Sequence, residues 1–363
     1  MIGQLRFSAG LAYQTKLCCT GFAGFFAYSK VLVTNSLPHR LVSWEPQSLD
    51  WRPADFTWRS AVAPAGERPR RKVLLLACLL FLLTLCTCLV AGAQFAAAYA
   101  NNEALSFDEL FRAYTLLYRQ PSALLSGLPF ALSLLGILLA HELGHFFACR
   151  YHHIRATYPF FVPFPSFVGT FGAFILMRSP IRTRPALFDV GASGPLVGFV
   201  FAVPALIFGI LQAKFVPGLA GPDHVIFGTP LAVRGLEAIL RPGVRPENLL
   251  LHPVGRAAWV GLFATSLNLL PVAQLDGGHI LRSISTRAHR YFSLLGPVAL
   301  GTLGFLGFWP GWYVWGGLLL CLGLFRVFPI YDPAPLDRRR RFAALLALVV
   351  FVLCFMPAPL RGL

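Results

Sequence analysis

Charged residues are scarce in this chain. Only 13% of its 363 residues are Asp, Glu, Lys or Arg, whereas 56% are hydrophobic. The mean hydropathy is +0.65. Soluble globular domains carry about 25% charged residues. The composition therefore argues against a soluble domain and favours a membrane protein.

Acidic residues are the rarer of the two charged classes, and the first one in the chain is Glu45. There are 15 acidic and 31 basic residues, so the formal net charge is +16. Such a charge could indicate nucleic-acid binding. The basic residues, however, form short clusters between apolar segments, which is the pattern of membrane topology signals. We therefore expect no nucleic-acid partner.

The chain also lacks any C-x-x-C pair, although it contains eight cysteines. Several of them lie inside apolar segments, where cysteine behaves as a small hydrophobic residue: Cys78, Cys86, Cys88, Cys321 and Cys354. We infer neither disulfides nor a thiol-based metal site.

Long apolar segments are abundant. The clearest candidates for membrane spans cover 73–98, 122–147, 186–211, 254–273, 291–308 and 342–357, with a shorter candidate at 313–328. They predict an all-α polytopic membrane protein with about six to seven transmembrane helices. Lys and Arg precede the first span and recur in alternate loops, which predicts a cytoplasmic start and a regular alternation of sides.

Residues 158–177 form a further uncharged stretch that would reverse this alternation if it crossed the bilayer. It contains Pro159, Pro163, Pro165, Gly169 and Gly172. These residues would leave a straight lipid-exposed helix with unpaired backbone groups. The stretch is therefore predicted to be a re-entrant or interfacial hairpin.

Four regions follow from this pattern. Residues 1–66 are a poorly determined N-terminal extension, and 67–121 hold the first transmembrane helix and an outer loop. Residues 122–290 form the core, and 291–363 contain the C-terminal transmembrane helices.

The sequence HELGH occupies positions 141–145, inside the second predicted span. In a helix, His141 and His145 lie one turn apart on one face and can bind one Zn²⁺, with Glu142 beside them as a base. Polar side chains in an apolar span are costly unless they bind metal, pair or face a polar cavity. The alternative is a polar contact between helices.

A catalytic zinc needs a third protein ligand, and Asp276 is the best candidate. It lies in NLLPVAQLDGGH (268–279) and follows a span that runs parallel to the one holding HELGH. Both ends should therefore lie at the same membrane depth. The alternative for Asp276 is an Asx turn before Gly277 and Gly278.

An HExxH in an early span together with an N-x-x-P…LDGG segment in a later one resembles the site-2 protease family of intramembrane zinc metalloproteases. The likeness covers about 120–290, and a GTFGA-like hairpin is similar to that of bacterial and plastid members. It implies that His141, His145 and Asp276 bind one Zn²⁺ per chain. It also implies that Glu142 is the catalytic base and that Asn268 assists the transition state. The alternative for Asn268 is a polar contact between helices.

Many members of that family carry a PDZ domain between core spans. Here 212–253 is too short for one and has little strand pattern, so the chain is similar to a branch without a PDZ domain. We also expect the hairpin at 158–177 to bind substrate, because it could present a strand edge to an extended peptide and its glycines would allow close backbone approach. The expected substrate-binding residues are Gly169, Thr170, Phe171 and Gly172.

These features predict an intramembrane protease whose partners are transmembrane protein substrates and the lipid bilayer. The predicted location is a bacterial inner membrane, with a plastid membrane as the alternative. Two rival functions stay open: a catalytically inactive scaffold of the same fold, and a transporter. Close packing alone explains the small residues of 189–195. For His279 the expectation is a position at the surface or an outer contact near the site, and not a metal ligand.

Overall fold

Helices make up most of the computed structural model, which describes residues 18–20, 71–105, 113–115, 119–219, 225–323 and 335–361. The predicted extension 1–66 therefore lies outside the described residues, apart from 18–20. The helices are α1 Arg71–Asn101, α2 Leu128–Tyr151, α3 Arg184–Leu211, α4 Leu231–Leu240, α5 Pro253–Asn268, α6 Asp276–Ile284, α7 Thr286–Phe305, α8 Gly311–Gly323 and α9 Arg338–Cys354. Short 3₁₀ helices cover Ala113–Thr115, Pro121–Gly127 and Pro246–Asn248.

Short strands accompany these helices, and apart from the predicted hairpin at 158–177 the all-α prediction did not include them. They are β1 Cys18–Thr20, β2 Phe160–Pro163, β3 Thr170–Met177, β4 Lys214–Phe215, β5 Ile226–Phe227, β6 Leu249–Leu250 and β7 Leu360–Arg361. Strands β1, β3 and β2 form one antiparallel sheet in that order, and the others pair as β4–β6 and β5–β7.

Three helical segments of the described chain are long and apolar enough to cross a membrane. They are α1, the stretch Pro121–Tyr151 that contains α2, and α3, with hydropathies of 3.0, 2.2 and 2.3. The other predicted spans coincide with α5, α7, α8 and α9. Helices α5, α8 and α9 have only 16, 13 and 17 residues, and α7 begins with the polar sequence TRAHR. The count of six to seven spans stays a prediction.

The stretch 158–177 folds as a β-hairpin. Phe160 of β2 pairs with Phe174 of β3, and beyond the strands the backbone N–H of Arg178 donates to the carbonyl of Arg155 at 2.7 Å. The chain therefore returns to the place from which it left, as expected for a hairpin. A β-hairpin satisfies much of its own backbone hydrogen bonding, which the prolines would prevent in a helix.

Glycines set the closest approaches among the central helices. A Cβ at Gly144 of α2 would lie 2.7 Å from the carbonyl oxygen of Ser193 in α3. Gly209 of α3 and Gly255 of α5 likewise meet backbone to backbone. Such contacts let helices pack tightly in an apolar setting, so α2, α3 and α5 form one layered core.

The hairpin tip is fastened to α1. The hydroxyl of Thr87 donates to the carbonyl oxygen of Gly169 at 2.5 Å. Gly169 has φ of +83°, and a Cβ there would lie 2.6 Å from the Cα of Cys88. The position therefore requires glycine both for its backbone conformation and for its contact.

We expect Gly169→Ala to lower the stability of the purified protein by more than Gly218→Ala. Gly218 also has a left-handed backbone, with φ of +76°, but has nothing within 4 Å of its Cβ position. The control should lose about 1–2 kcal/mol from the conformation alone, whereas Gly169→Ala adds the clash with α1. Thermal unfolding midpoints measure the difference. Equal midpoints would mean that the tip does not pack against α1.

Candidate metal centre

Helix α2 presents two imidazoles at one point. His141 and His145 are four residues apart on the helix, and their Nε2 atoms lie 3.1 Å from each other. Both side chains are buried, with 4% and 0% exposure. Helical spacing thus brings the two rings together as the sequence predicts.

Asp276 completes the cluster. It is the first residue of α6, which follows a tight turn after the end of α5. Its Oδ2 lies 3.4 Å from Nε2 of His141 and 3.3 Å from Nε2 of His145. The residues that the sequence analysis proposed as ligands therefore converge at one place, and together they could hold a metal ion.

The donor set fits zinc. Ligand atoms about 2.0–2.1 Å from a tetrahedral ion lie about 3.3–3.4 Å from one another, close to the three separations measured here. Asp276 is wholly buried, and neither carboxylate oxygen has a hydrogen-bond partner among the residues described. A buried carboxylate in this state is costly without a cation beside it.

The LDGG motif provides the turn that delivers Asp276. A Cβ at Gly278 would lie 2.5 Å from the carbonyl oxygen of Ala273, and one at Gly277 would collide with the carbonyl of Leu269. Ala273 itself has φ of +51°. Helix α6 thus folds back directly onto the end of α5, and only glycine leaves room for that path.

Helix α3 lines the centre with a row of glycines. A Cβ at Gly194 would overlap the ring of His145, and one at Gly198 would lie 3.0 Å from Nδ1 of His141. A Cβ at Gly191 would likewise lie 2.9 Å from the Cβ of His279. These small residues do serve close packing, as the sequence predicts. That they pack against the histidines was not predicted. Their spacing of three and four residues was the available signal.

Val190 fixes the tautomer of His145. Its backbone carbonyl lies 2.6 Å from Nδ1 of that ring, so Nδ1 carries the proton and donates it. The lone pair on Nε2 is then directed at the cluster. Such an outer contact orients a metal-binding histidine and raises its basicity.

Glu142 is buried beside the cluster, with 2% exposure. Its carboxylate is hydrogen-bonded to the backbone of Ile175 in β3 and lies within electrostatic range of His145 and Asp276. Its Oε2 has no hydrogen-bond partner within the described part of the chain. The backbone of Ile175 therefore holds the carboxylate, and Oε2 can accept a further hydrogen bond.

Asn268, the last residue of α5, also reaches the centre. Its Nδ2 lies 3.3 Å from Nε2 of His141, and the side chain is 7% exposed. Both a role in the transition state and a polar contact between helices are open for this residue from the sequence. The structure places the amide at the cluster itself.

The predicted substrate residues lie at the hairpin tip. Gly169 packs against α1, and the hydroxyl of Thr170 donates to the carbonyl of Val162 at 2.8 Å. Phe171 stacks near Phe164, with ring centroids 3.9 Å apart, and Gly172 has φ of +106°. The contact with Glu142 comes from Ile175, further along β3.

His279 is buried one turn after Asp276, with 3% exposure, and its Nε2 has no hydrogen-bond partner in the described ranges. It does not belong to the three-residue cluster. The surface position considered for His279 is therefore wrong, and an outer role beside the metal cluster stays a prediction.

The central region is similar to known proteins. Residues 129–294 match the model of Peptidase family M50. Probable zinc metalloprotease EGY1, chloroplastic, from Oryza sativa subsp. japonica is 30% identical over 240 residues, which cover 64% of this chain and 41% of the relative. Probable zinc metalloprotease EGY2, chloroplastic, from Arabidopsis thaliana is 34% identical over 164 residues, or 44% of this chain and 29% of that protein.

The chain thus spans about two fifths of the length of the first of these relatives and less than a third of the second. No solved structure matches it. Both of these relatives are named as zinc metalloproteases. Their names, together with the cluster of His141, His145 and Asp276, confirm the predicted zinc cofactor. The recognised family is the one that the HELGH and LDGG segments resemble.

We expect Gly194→Ala to weaken zinc binding by about 10–100-fold, the usual effect of disturbing the surroundings of a ligand. The added methyl would displace the ring of His145. Gly136→Ala is the matched control, because it lies on the same helix as His145 and has nothing within 4 Å. Competition with a chromophoric chelator measures both affinities. Wild-type affinity in Gly194→Ala would show that α3 does not support the ligand.

Proposed function

We propose that the chain is an intramembrane zinc metalloprotease that hydrolyses peptide bonds of membrane-embedded proteins, because residues 129–294 match the model of Peptidase family M50. The observation that carries the proposal is the cluster of His141, His145 and Asp276. It is buried, it matches the geometry of zinc, and a separate carboxylate lies next to it.

Three side chains would hold the zinc and leave a coordination position open, as catalytic zinc sites do. Bound zinc supplies a water of lowered pKa and polarises the carbonyl of the scissile bond. The protein's own contribution is to fix the ligands. Val190 orients His145, and the turn at 269–275 sets the depth of Asp276.

Glu142 is the residue we assign as general base and acid. Ile175 anchors its carboxylate, and Oε2 is left without a hydrogen-bond partner in the described residues. That oxygen can take a proton from the attacking water and pass it to the leaving amine. Hydrolysis by this route needs no covalent intermediate. An intact Glu142 also argues against the inactive-scaffold alternative.

Asn268 is the residue we assign to the developing oxyanion. Its amide group lies at the cluster, where a donor can stabilise negative charge on the attacked carbonyl oxygen. The side chain is largely buried and comes from the end of α5. Its donor is therefore held in place before substrate arrives.

We propose that substrate binds along the edge of β3 that pairs with β1. Thr20 of β1 pairs with Ile175, Cys19 with Leu176 and Cys18 with Met177, so this edge accepts an antiparallel strand beside Glu142. A substrate would bind there in extended form, with its peptide bonds exposed to attack. It would displace β1, while Gly169 to Gly172 shape the tip.

A plastid membrane is the location we propose. The matching zinc metalloproteases are named as chloroplastic, which favours the plastid alternative over a bacterial inner membrane. Transmembrane proteins of that membrane are the substrates to expect.

Glu142→Gln should retain one zinc per chain and lose cleavage of a model transmembrane substrate by at least about 100-fold, the usual contribution of a general base. Glu247→Gln, at an exposed position, is the control and should retain both. Zinc content and product formation by the purified, reconstituted protein are the two measurements. Unchanged cleavage by Glu142→Gln would remove Glu142 from the mechanism.

Locking β1 onto β3 should block cleavage. Leu176→Cys is introduced into a chain whose only other cysteine is Cys19, its register partner, and a disulfide is formed by mild oxidation. We expect no cleavage when oxidised and full recovery after reduction. A chain that keeps Cys18 instead should form the bond more slowly, because Cys18 is opposite Met177. Undiminished cleavage by the disulfide-linked chain would exclude this edge as the substrate site.

A further inference from the structure

Asp189 of α3 is the centre of an ionic network outside the metal cluster. Arg340, in the first turn of α9, donates from Nε to Oδ1 at 2.8 Å and from Nη2 to Oδ2 at 2.6 Å. His152, next to the end of α2, lies 2.7 Å from the same Oδ2 through its Nε2. One carboxylate thus joins three helices, and paired contacts of this kind are stronger than single ones.

Arg340 is held from its own helix as well. Asp337 caps α9 by accepting from the backbone N–H of Arg340 at 3.0 Å. Its other carboxylate oxygen lies 3.2 Å from Nη1. The guanidinium therefore uses one edge for Asp189 and another for Asp337. Its orientation is fixed by two carboxylates, and its side chain is only 23% exposed.

The network adjoins the metal cluster through a single peptide unit. Asp189 is followed directly by Val190, whose carbonyl lies 2.6 Å from Nδ1 of His145. The side chain of Asp189 and the carbonyl of Val190 belong to the same turn of α3. A shift or rotation of this turn would therefore move the acceptor that sets the tautomer of His145.

From this geometry we infer that Asp189, clamped by Arg340 and His152, is a positioning residue for the zinc ligand His145. Helix α9 begins at Arg338, beyond residue 294, where the family match ends. The C-terminal helix thereby becomes a supporting part of the metal centre. The inference rests on the proposed zinc site and goes beyond it.

Metal retention tests the inference directly. The variants Asp189→Asn and Arg340→Met are prepared as holoproteins and exposed to excess chelator, and zinc release is timed. We expect faster release than from wild type, by up to about 10–100-fold, the range for complete loss of an outer contact such as that of the Val190 carbonyl. Arg339→Met is the matched control, because it removes the same charge from an exposed neighbour.

A spectroscopic readout separates positioning from general stability. The visible absorption of the Co²⁺-substituted protein reports the ligand field. It should change in Asp189→Asn and Arg340→Met and not in Arg339→Met. Arg340→Lys keeps the charge but not the paired geometry, so partial recovery is expected. If Arg340→Met does not fold, Arg340→Lys replaces it in both measurements.

Two failures can be told apart. Folded variants with wild-type zinc release and an unchanged cobalt spectrum would overturn the positioning role and leave the proposed function standing. A wild-type protein that takes up neither zinc nor cobalt would overturn both.

Discussion

Asp276 is a carboxylate without access to solvent, and neither of its oxygens has a hydrogen-bond partner in the part of the chain that is described. Removing such a charge from water costs several kcal/mol unless a cation is near. The Nε2 atoms of two histidines face it at 3.3 and 3.4 Å. A metal ion resolves this arrangement, because all three ligand atoms then point at positive charge.

Much of the surrounding fold brings these three side chains together. Helix α5 ends at Asn268, the turn brings Asp276 back, and Gly277 and Gly278 leave room for that return. Helix α3 approaches both imidazoles because Gly194 and Gly198 have no side chain there. Ridges of larger residues would hold the helices further apart and separate the ligands. The close packing of these helices is therefore what brings the ligand atoms to metal-binding distances.

The sequence was informative wherever chemistry follows a local spacing. HELGH predicts its own convergence because four residues make about one helical turn, and the expected parallel order of two spans led to Asp276 as the third member of the cluster. The prolines and glycines of 158–177 predict a hairpin, although not the register that brings Ile175 to Glu142. The two motifs also suffice to recognise the family.

Contacts between distant parts of the chain could not be predicted in this way. Arg340 and Asp189 are 151 positions apart, and no periodicity links them. The carbonyl of Val190 is a backbone group and leaves no mark in the residue type. Helix length alone does not predict which residues reach the centre either, since α5 is only 16 residues long and still delivers Asn268 to it.

Zinc X-ray absorption spectroscopy of the purified chain tests the central claim most directly. The account predicts one zinc with a first shell of nitrogen and oxygen at about 2.0–2.2 Å, and the outer-shell signal of two imidazoles. In Asp276→Ala that shell should change while both imidazoles persist. A sulfur shell at about 2.3 Å, or a first shell that is the same in wild type and Asp276→Ala, would contradict it.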